Sequence, residues 1–196
     1  MNDPKIKEPE ALYGDHYTYA DYLNFDFDEM VEIIKGKIFR MSPAPGTLHQ
    51  KISRNLCGKA YNYFKNKPCQ FFSAPFDVIL PKKGKDFMQS DKVVQPDVVV
   101  ICKPEIIQER GCFGVPDWII EILSPHTTKK DIQDKFDLYE EAGVKEYWIV
   151  EPSNKTVEVF FQHHDKYQRI RAYTVPDQVS PQLFPDLIFD LTEVFE

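Results

Sequence analysis

Apolar residues recur at every fourth position through GTLHQKISRNLCGKAYNYFK, at Leu48, Ile52, Leu56, Ala60 and Phe64. That period places them on one face, so an amphipathic helix is expected over about 47–65, opening after Pro45-Gly46. A second stripe, Ile132, Phe136, Leu138, Tyr139 and Ala142, predicts a helix over about 128–142 that Gly143 stops. Other segments carry strand patterns. MVEIIKGKIFRMSP reads as a hairpin turning at Lys35-Gly36, and CQFFSAPFDVILP as a strand pair or one bent strand. Residues 97–102 form a strand, and PDWIIEIL another, so apolar that both its faces must be covered. KEYWIVEP is a further buried strand. TVEVFFQ and YQRIRAYT pair around HHDK, and a short strand or turn near 187–189 closes the chain. This order predicts an α/β fold with a central mixed β-sheet flanked by helices. Residues 1–25 show little periodicity and read as an N-terminal arm that Tyr17, Tyr19 and Tyr22 can dock. Residues 26–196 read as a single domain.

Composition changes this picture little. With 42% hydrophobic and 28% charged residues, the 196-residue chain has the balance of a soluble globular domain. It has no apolar run near the roughly 18 residues a membrane helix needs, and its start, MNDPKIKEPEALYGDHY, is acidic and Pro-interrupted. A cytoplasmic protein without a membrane partner is expected. Cys57, Cys69, Cys102 and Cys112 have no C-x-x-C spacing and no paired His partner, which argues against structural zinc; three of them sit beside apolar segments and read as small core residues or free thiols. The net charge of −7 argues against a broad DNA footprint and leaves room for a local cation site. Ser124-Pro125-His126 lies outside any G-x-S-x-G elbow, no glycine-rich phosphate loop occurs, and His163-His164 marks a solvated turn.

One residue breaks the apolar pattern. Ile119-Ile120-Glu121-Ile122-Leu123 puts a carboxylate inside a buried strand, where an unpaired charge costs several kcal/mol. Asp97, after Pro96, opens the preceding strand. On adjacent strands about 4.8 Å apart the two carboxylates can share one divalent cation, and oxygen ligands suit Mg²⁺ or Mn²⁺. In the following helix Lys135 falls inside the apolar stripe, Lys129 lies near its edge and Lys130 points away. An ammonium facing such a pair could position water or balance transition-state charge, and phosphodiester hydrolysis is the natural reaction of the set. Each residue also has a structural reading: Asp97 as a turn or cap, Glu121 and Lys135 as an ion pair, and Asp117 as a turn residue.

The segments VEIIKGKIFRMSPAPGTLHQKI, QPDVVV, PDWIIEILSP and DKFDLYEEAGVKEYWIVEP resemble the Uma-two family of restriction endonucleases, within the PD-(D/E)XK nuclease superfamily. The resemblance runs from about residue 32 to residue 152. It implies a restriction-endonuclease-like core, a metal-dependent endonuclease acting on DNA, and Mg²⁺ or Mn²⁺ as cofactor. Asp97 matches the PD aspartate and Glu121 the acidic residue of the E-x-K element; both would be metal ligands. The lysine position of that element is Leu123 here, and Lys135 matches a lysine moved to the next helix. Glu32 and His49 match a hairpin glutamate and a helix-entry histidine, as auxiliary site residues. Lys129 and Lys130, with the Lys82-Lys83-Lys85 turn, are the candidate phosphate contacts. Two sites are needed to cut two strands, which a homodimer would supply, although no interface is legible. The alternative is a non-catalytic module that keeps the nuclease fold to bind nucleic acid or protein.

Overall fold

A computed structural model describes residues 16–26, 29–41, 45–125 and 127–196. His126 and residues 1–15 of the arm lie outside the described residues. In chain order the elements are α1 (Tyr19–Tyr22), β1 (Val31–Ile34), β2 (Lys37–Arg40), α2 (Thr47–Phe64), β3 (Gln70–Ser73), β4 (Val78–Ile79) and β5 (Val93–Val94). There follow β6 (Val98–Ile101), β7 (Ile107–Gln108), β8 (Gly111–Phe113), β9 (Trp118–Ile122), α3 (Lys129–Ala142) and β10 (Glu146–Glu151). The chain finishes with β11 (Thr156–His163), β12 (Lys166–Thr174), β13 (Gln178–Val179), β14 (Phe189–Asp190) and α4 (Leu191–Val194).

The α/β class is the one expected, but the strands form two six-stranded mixed sheets, ordered β2-β1-β5-β4-β8-β7 and β12-β11-β10-β9-β6-β3. CQFFSAPFDVILP is the junction. Its first half, β3, pairs with β6 in one sheet, and its second half, β4, pairs with β5 and β8 in the other.

Side-chain alternation explains the layering. Val98, Val100, Trp118 and Ile120 pack with Ile52, Leu56, Ala60 and Phe64 of α2 and with the C-terminal Phe189 and Leu191. Val99, Ile101 and Ile119 point the other way, where they meet Leu138 and Tyr139 of α3 and Ile34, Val78 and Val94 of the other sheet. The centre of this sheet, β6, β9 and β10, therefore has both faces covered, and every residue of β9 is buried. On the far side of the β1 sheet, Tyr19 packs with Ile33, Ile79 and Val93, and Tyr17 and Tyr22 pack against that cluster.

Local chemistry sets the boundaries near the site. Lys35 and Gly36 both have positive φ, 51° and 79°, the geometry of a tight two-residue turn between β1 and β2. Thr128 caps α3 by accepting from the Asp131 amide at 3.2 Å, while Asp131 accepts from the Thr128 amide at 2.9 Å. Gly143, at φ 91°, ends the helix in the left-handed region.

The cysteine expectation needs correction. Cys69 and Cys102 form a disulfide, and only Cys57 and Cys112 are free. The cause is register: Gln70 pairs with Ile101 across β3 and β6, so Cys69 and Cys102 are the next residues facing each other. Among the described residues, no helix is long and apolar enough to cross a membrane.

Candidate active site

The register of β6 and β9 pairs Val98 with Ile120 and Val99 with Ile119. One step further sets Asp97 opposite Glu121. Glu121 shares the parity of Ile119 and faces α3, and Asp97 lies across from it, one residue before β6. Asp97 is further held by the Ile122 amide, which donates to its Oδ2 at 2.7 Å.

Three other elements close on this pair. From α3, Lys135 donates to Oε1 of Glu121 at 2.9 Å and also lies 3.0 Å from Oε1 of Glu32 on β1. Its side chain is only 18% exposed. One helical turn later, the Tyr139 hydroxyl donates to the same Glu121 Oε1 at 2.6 Å. From the start of α2, His49 places Nε2 at 3.3 Å from Oδ1 of Asp97. Glu32 is fixed from behind by the Gln95 amide, which donates to Oε1 at 2.8 Å. The Gln95 side chain in turn donates to Asp77 at 2.6 Å and to the Tyr22 hydroxyl at 3.2 Å.

The electrostatics follow from burial and crowding. Burial pushes the Glu121 carboxyl up to about 7; Lys135 and the Tyr139 bond pull it down, and the Asp97 and Glu32 charges add to the rise. For Lys135 burial works against the charge, but Glu121 and Glu32 outweigh it, so the amine is held above its ordinary value as an ammonium. His49 follows the same logic: burial disfavours the imidazolium, and the Asp97 carboxylate more than compensates, raising the group. Burial also raises Asp77, against the bonds from Gln95 and Tyr22.

Of the five residues anticipated at the centre or beside it, Lys135, Glu121 and Glu32 form one bonded group and His49 and Asp97 another, and the β6–β9 register sets Asp97 across from Glu121. Lys129 and Lys130 sit exposed on the first turn of α3, whose Lys135 enters the network. Lys82 is instead tied to Asp91 at 2.6 Å, leaving Lys83 and Lys85 as the exposed lysines of that turn. Asp117 belongs to the opposite end of β9, where it accepts from the Cys102 amide at 2.8 Å and from Lys145 at 2.7 Å. Tyr139, Gln95, Asp77 and Tyr22 were not anticipated as site residues. Tyr139 carried a signal, four residues from Lys135 on the same stripe, but the stripe alone reads it as core.

Among the described residues, no group of three or more His, Cys, Asp or Glu side chains is already gathered to hold a metal ion. The donor chemistry nevertheless fits a hard divalent cation of the Mg²⁺ type, which binds through one or two carboxylates and fills its shell with water and phosphate oxygens. Burial first, and the Asp97 and Glu32 charges after it, disfavour the Glu121 carboxylate, and a bound cation would favour its charged form.

A family model, Uma2, described as "Putative restriction endonuclease", matches residues 18–192. No curated protein matches the chain. A similar solved structure is that of "a putative nuclease belonging to DUF820" from Anabaena variabilis ATCC 29413. It shares 21% identity and a TM-score of 0.71, over 91% of this chain and 97% of that one. At that identity the likeness shows a shared fold.

Proposed function

The chain belongs to the Uma2 family, and from that premise we propose that it is a divalent-metal-dependent endonuclease that hydrolyses DNA phosphodiester bonds. The observation that carries this reading is an antiparallel register that sets Asp97 opposite Glu121, with one half-buried ammonium, Lys135, bonded to Glu121.

Asp97 and Glu121 would hold Mg²⁺ or Mn²⁺. When bound, the ion supplies Lewis-acid polarisation of the phosphate and offsets charge as the bond breaks. Lys135 holds an ammonium where negative charge builds up on the phosphoryl oxygens, and orients the attacking water. His49 keeps Asp97 in place through Oδ1, and Glu32 keeps Lys135 from leaving toward solvent. Lys129 and Lys130, on the exposed first turn of the same helix, draw in the phosphate backbone.

The test is cleavage of supercoiled plasmid with Mg²⁺, with Mn²⁺ and with chelator, for wild type, Asp97→Asn and Glu121→Gln. Metal-dependent nicking or linearisation by wild type alone supports the proposal. DNA binding by wild type without cleavage under any metal would make the fold a binding module.

A further inference from the structure

Building on this cation-site reading, we infer that Tyr139 is the positioning residue of the site: its hydroxyl fixes the plane of the Glu121 carboxylate and so decides which oxygen meets the cation. The terminal torsion of a glutamate is broad and roughly two-fold, so a buried carboxylate turns freely unless donors hold it. At Glu121 two donors converge on one atom. Lys135 approaches Oε1 at 2.9 Å and Tyr139 at 2.6 Å, the latter in the range of a charge-assisted O–H···O⁻ bond. Oε1 has two lone pairs, and these donors use both. Oε2 receives neither, and it is the oxygen left for a cation shared with Asp97.

The two donors are not equivalent. Lys135 is a flexible stem that divides its ammonium between Glu121 and Glu32. Tyr139 has one proton to give and gives it to Glu121. Its ring is fully buried and packs edge-on against Tyr147 with centroids 5.1 Å apart, so the hydroxyl cannot follow a turning carboxylate. Residues 135 and 139 lie one helical turn apart on α3, which is why both reach the same atom. The rigid donor sets the plane, and the flexible one supplies the charge.

Tyr139→Phe keeps the ring and deletes only the hydroxyl. Calorimetric titration with Mn²⁺ should show Kd raised about 10-fold or more, the usual cost of losing an outer partner of a metal ligand. Single-turnover cleavage of plasmid should return to within a few-fold of wild type once Mn²⁺ is saturating. Tyr147→Phe, which alters a buried tyrosine of the same cluster, should bind Mn²⁺ as wild type does. Glu121→Gln separates the two levels of the argument. If wild type and Glu121→Gln take up Mn²⁺ alike, or neither takes it up, the cation site falls and the role of Tyr139 with it. If Glu121→Gln loses Mn²⁺ while Tyr139→Phe binds it with wild-type Kd, the positioning role alone is overturned, whatever happens to the unfolding temperature. A raised Kd with a rate that saturating Mn²⁺ does not restore would make Tyr139 part of the chemistry and also overturns the inference.

Discussion

Lys135 Nζ lies 3.0 Å from Oε1 of Glu32, so an ammonium on α3 touches a carboxylate of the sheet that does not contain Glu121. Through its second bond to Glu121, this lysine joins the two sheets at the point where their acidic residues meet. Site and fold therefore share a joint. On the proposed function, substitutions here should register in stability and in activity together, and measurements must separate the two.

DNA affinity should depend on few charges, given the chain's net charge of −7. Lys129 and Lys130 are exposed on the first turn of α3. Each phosphate contact contributes roughly 0.9 to the slope of log affinity against log salt, so Lys129→Ala with Lys130→Ala should flatten it by up to about 1.8. Fluorescence anisotropy across a salt series, in chelator to prevent cutting, reads this directly. An unchanged slope removes the α3 entrance from the footprint.

Much of this arrangement was legible before the structure. Period alone located α2 and α3, and the stripe on α3 singled out Lys135 because its neighbours on that face are apolar. The adjacency of Asp97 and Glu121 followed from two consecutive strands. What stayed hidden depends on contacts between distant segments. The second sheet is built largely from β4, β5, β7 and β8, two or three residues each, too short for alternation to show. The Cys69–Cys102 bridge needs the β3–β6 register, which no spacing of cysteines encodes. Tyr139 was visible only as an apolar position, since its hydroxyl bond exists only once α3 lies across β9.

The Lys82 turn should report on stability and pH. Asp91 accepts Lys82 at 2.6 Å and lies 3.0 Å from His16; burial alone would raise its carboxyl, and Lys82 more than compensates, holding it below the ordinary value. A carboxyl depressed in the folded state binds fewer protons there than in the unfolded chain, so stability rises with pH through that window. The contribution is complete above the unfolded value of about 3.9 and is lost as pH falls through the lower folded one. Lys82→Met should therefore lower the unfolding temperature at pH 7, and the gap to wild type should close in acid. A gap that persists unchanged at pH 2.5 would assign the loss to packing of the lysine stem.

Thiol chemistry should separate the four cysteines into pairs. Burial pushes the Cys112 thiol up to about 12 and also raises Cys57, so native protein at pH 8 should react slowly with iodoacetamide. After unfolding without reductant, mass spectrometry should find label on Cys57 and Cys112 only. The bridge spans a separation of 33 residues, and opening it with reductant should cost about 2–4 kcal/mol of stability. Four labelled cysteines in unreduced, unfolded protein would remove the bridge.

Lys135→Met carries the most weight, because stability and chemistry point to different readouts of one variant. The substitution keeps much of the stem and deletes the ammonium between Glu32 and Glu121. Two buried carboxylates then lose their shared partner, and the metal-free protein should be destabilised by about 3 kcal/mol, the scale of a broken buried pair. A divalent cation would restore part of that balance, so millimolar Mn²⁺ should raise the unfolding temperature more in Lys135→Met than in wild type. Cleavage is the discriminating measurement, made by single turnover at a temperature where the variant is fully folded and loaded with Mn²⁺. If the lysine supports the reaction, the rate per folded molecule should fall at least ~100-fold, the scale of losing one electrostatic or acid–base contributor. If it is only an ion-pair partner, folded and metal-loaded Lys135→Met should cut as fast as wild type, and the joint between the sheets would be its whole function. Lys135→Arg sharpens the distinction, since it keeps the charge and alters the reach. Stability close to wild type together with a collapsed rate would mean that the position of the ammonium, beyond its presence, is what the chemistry requires.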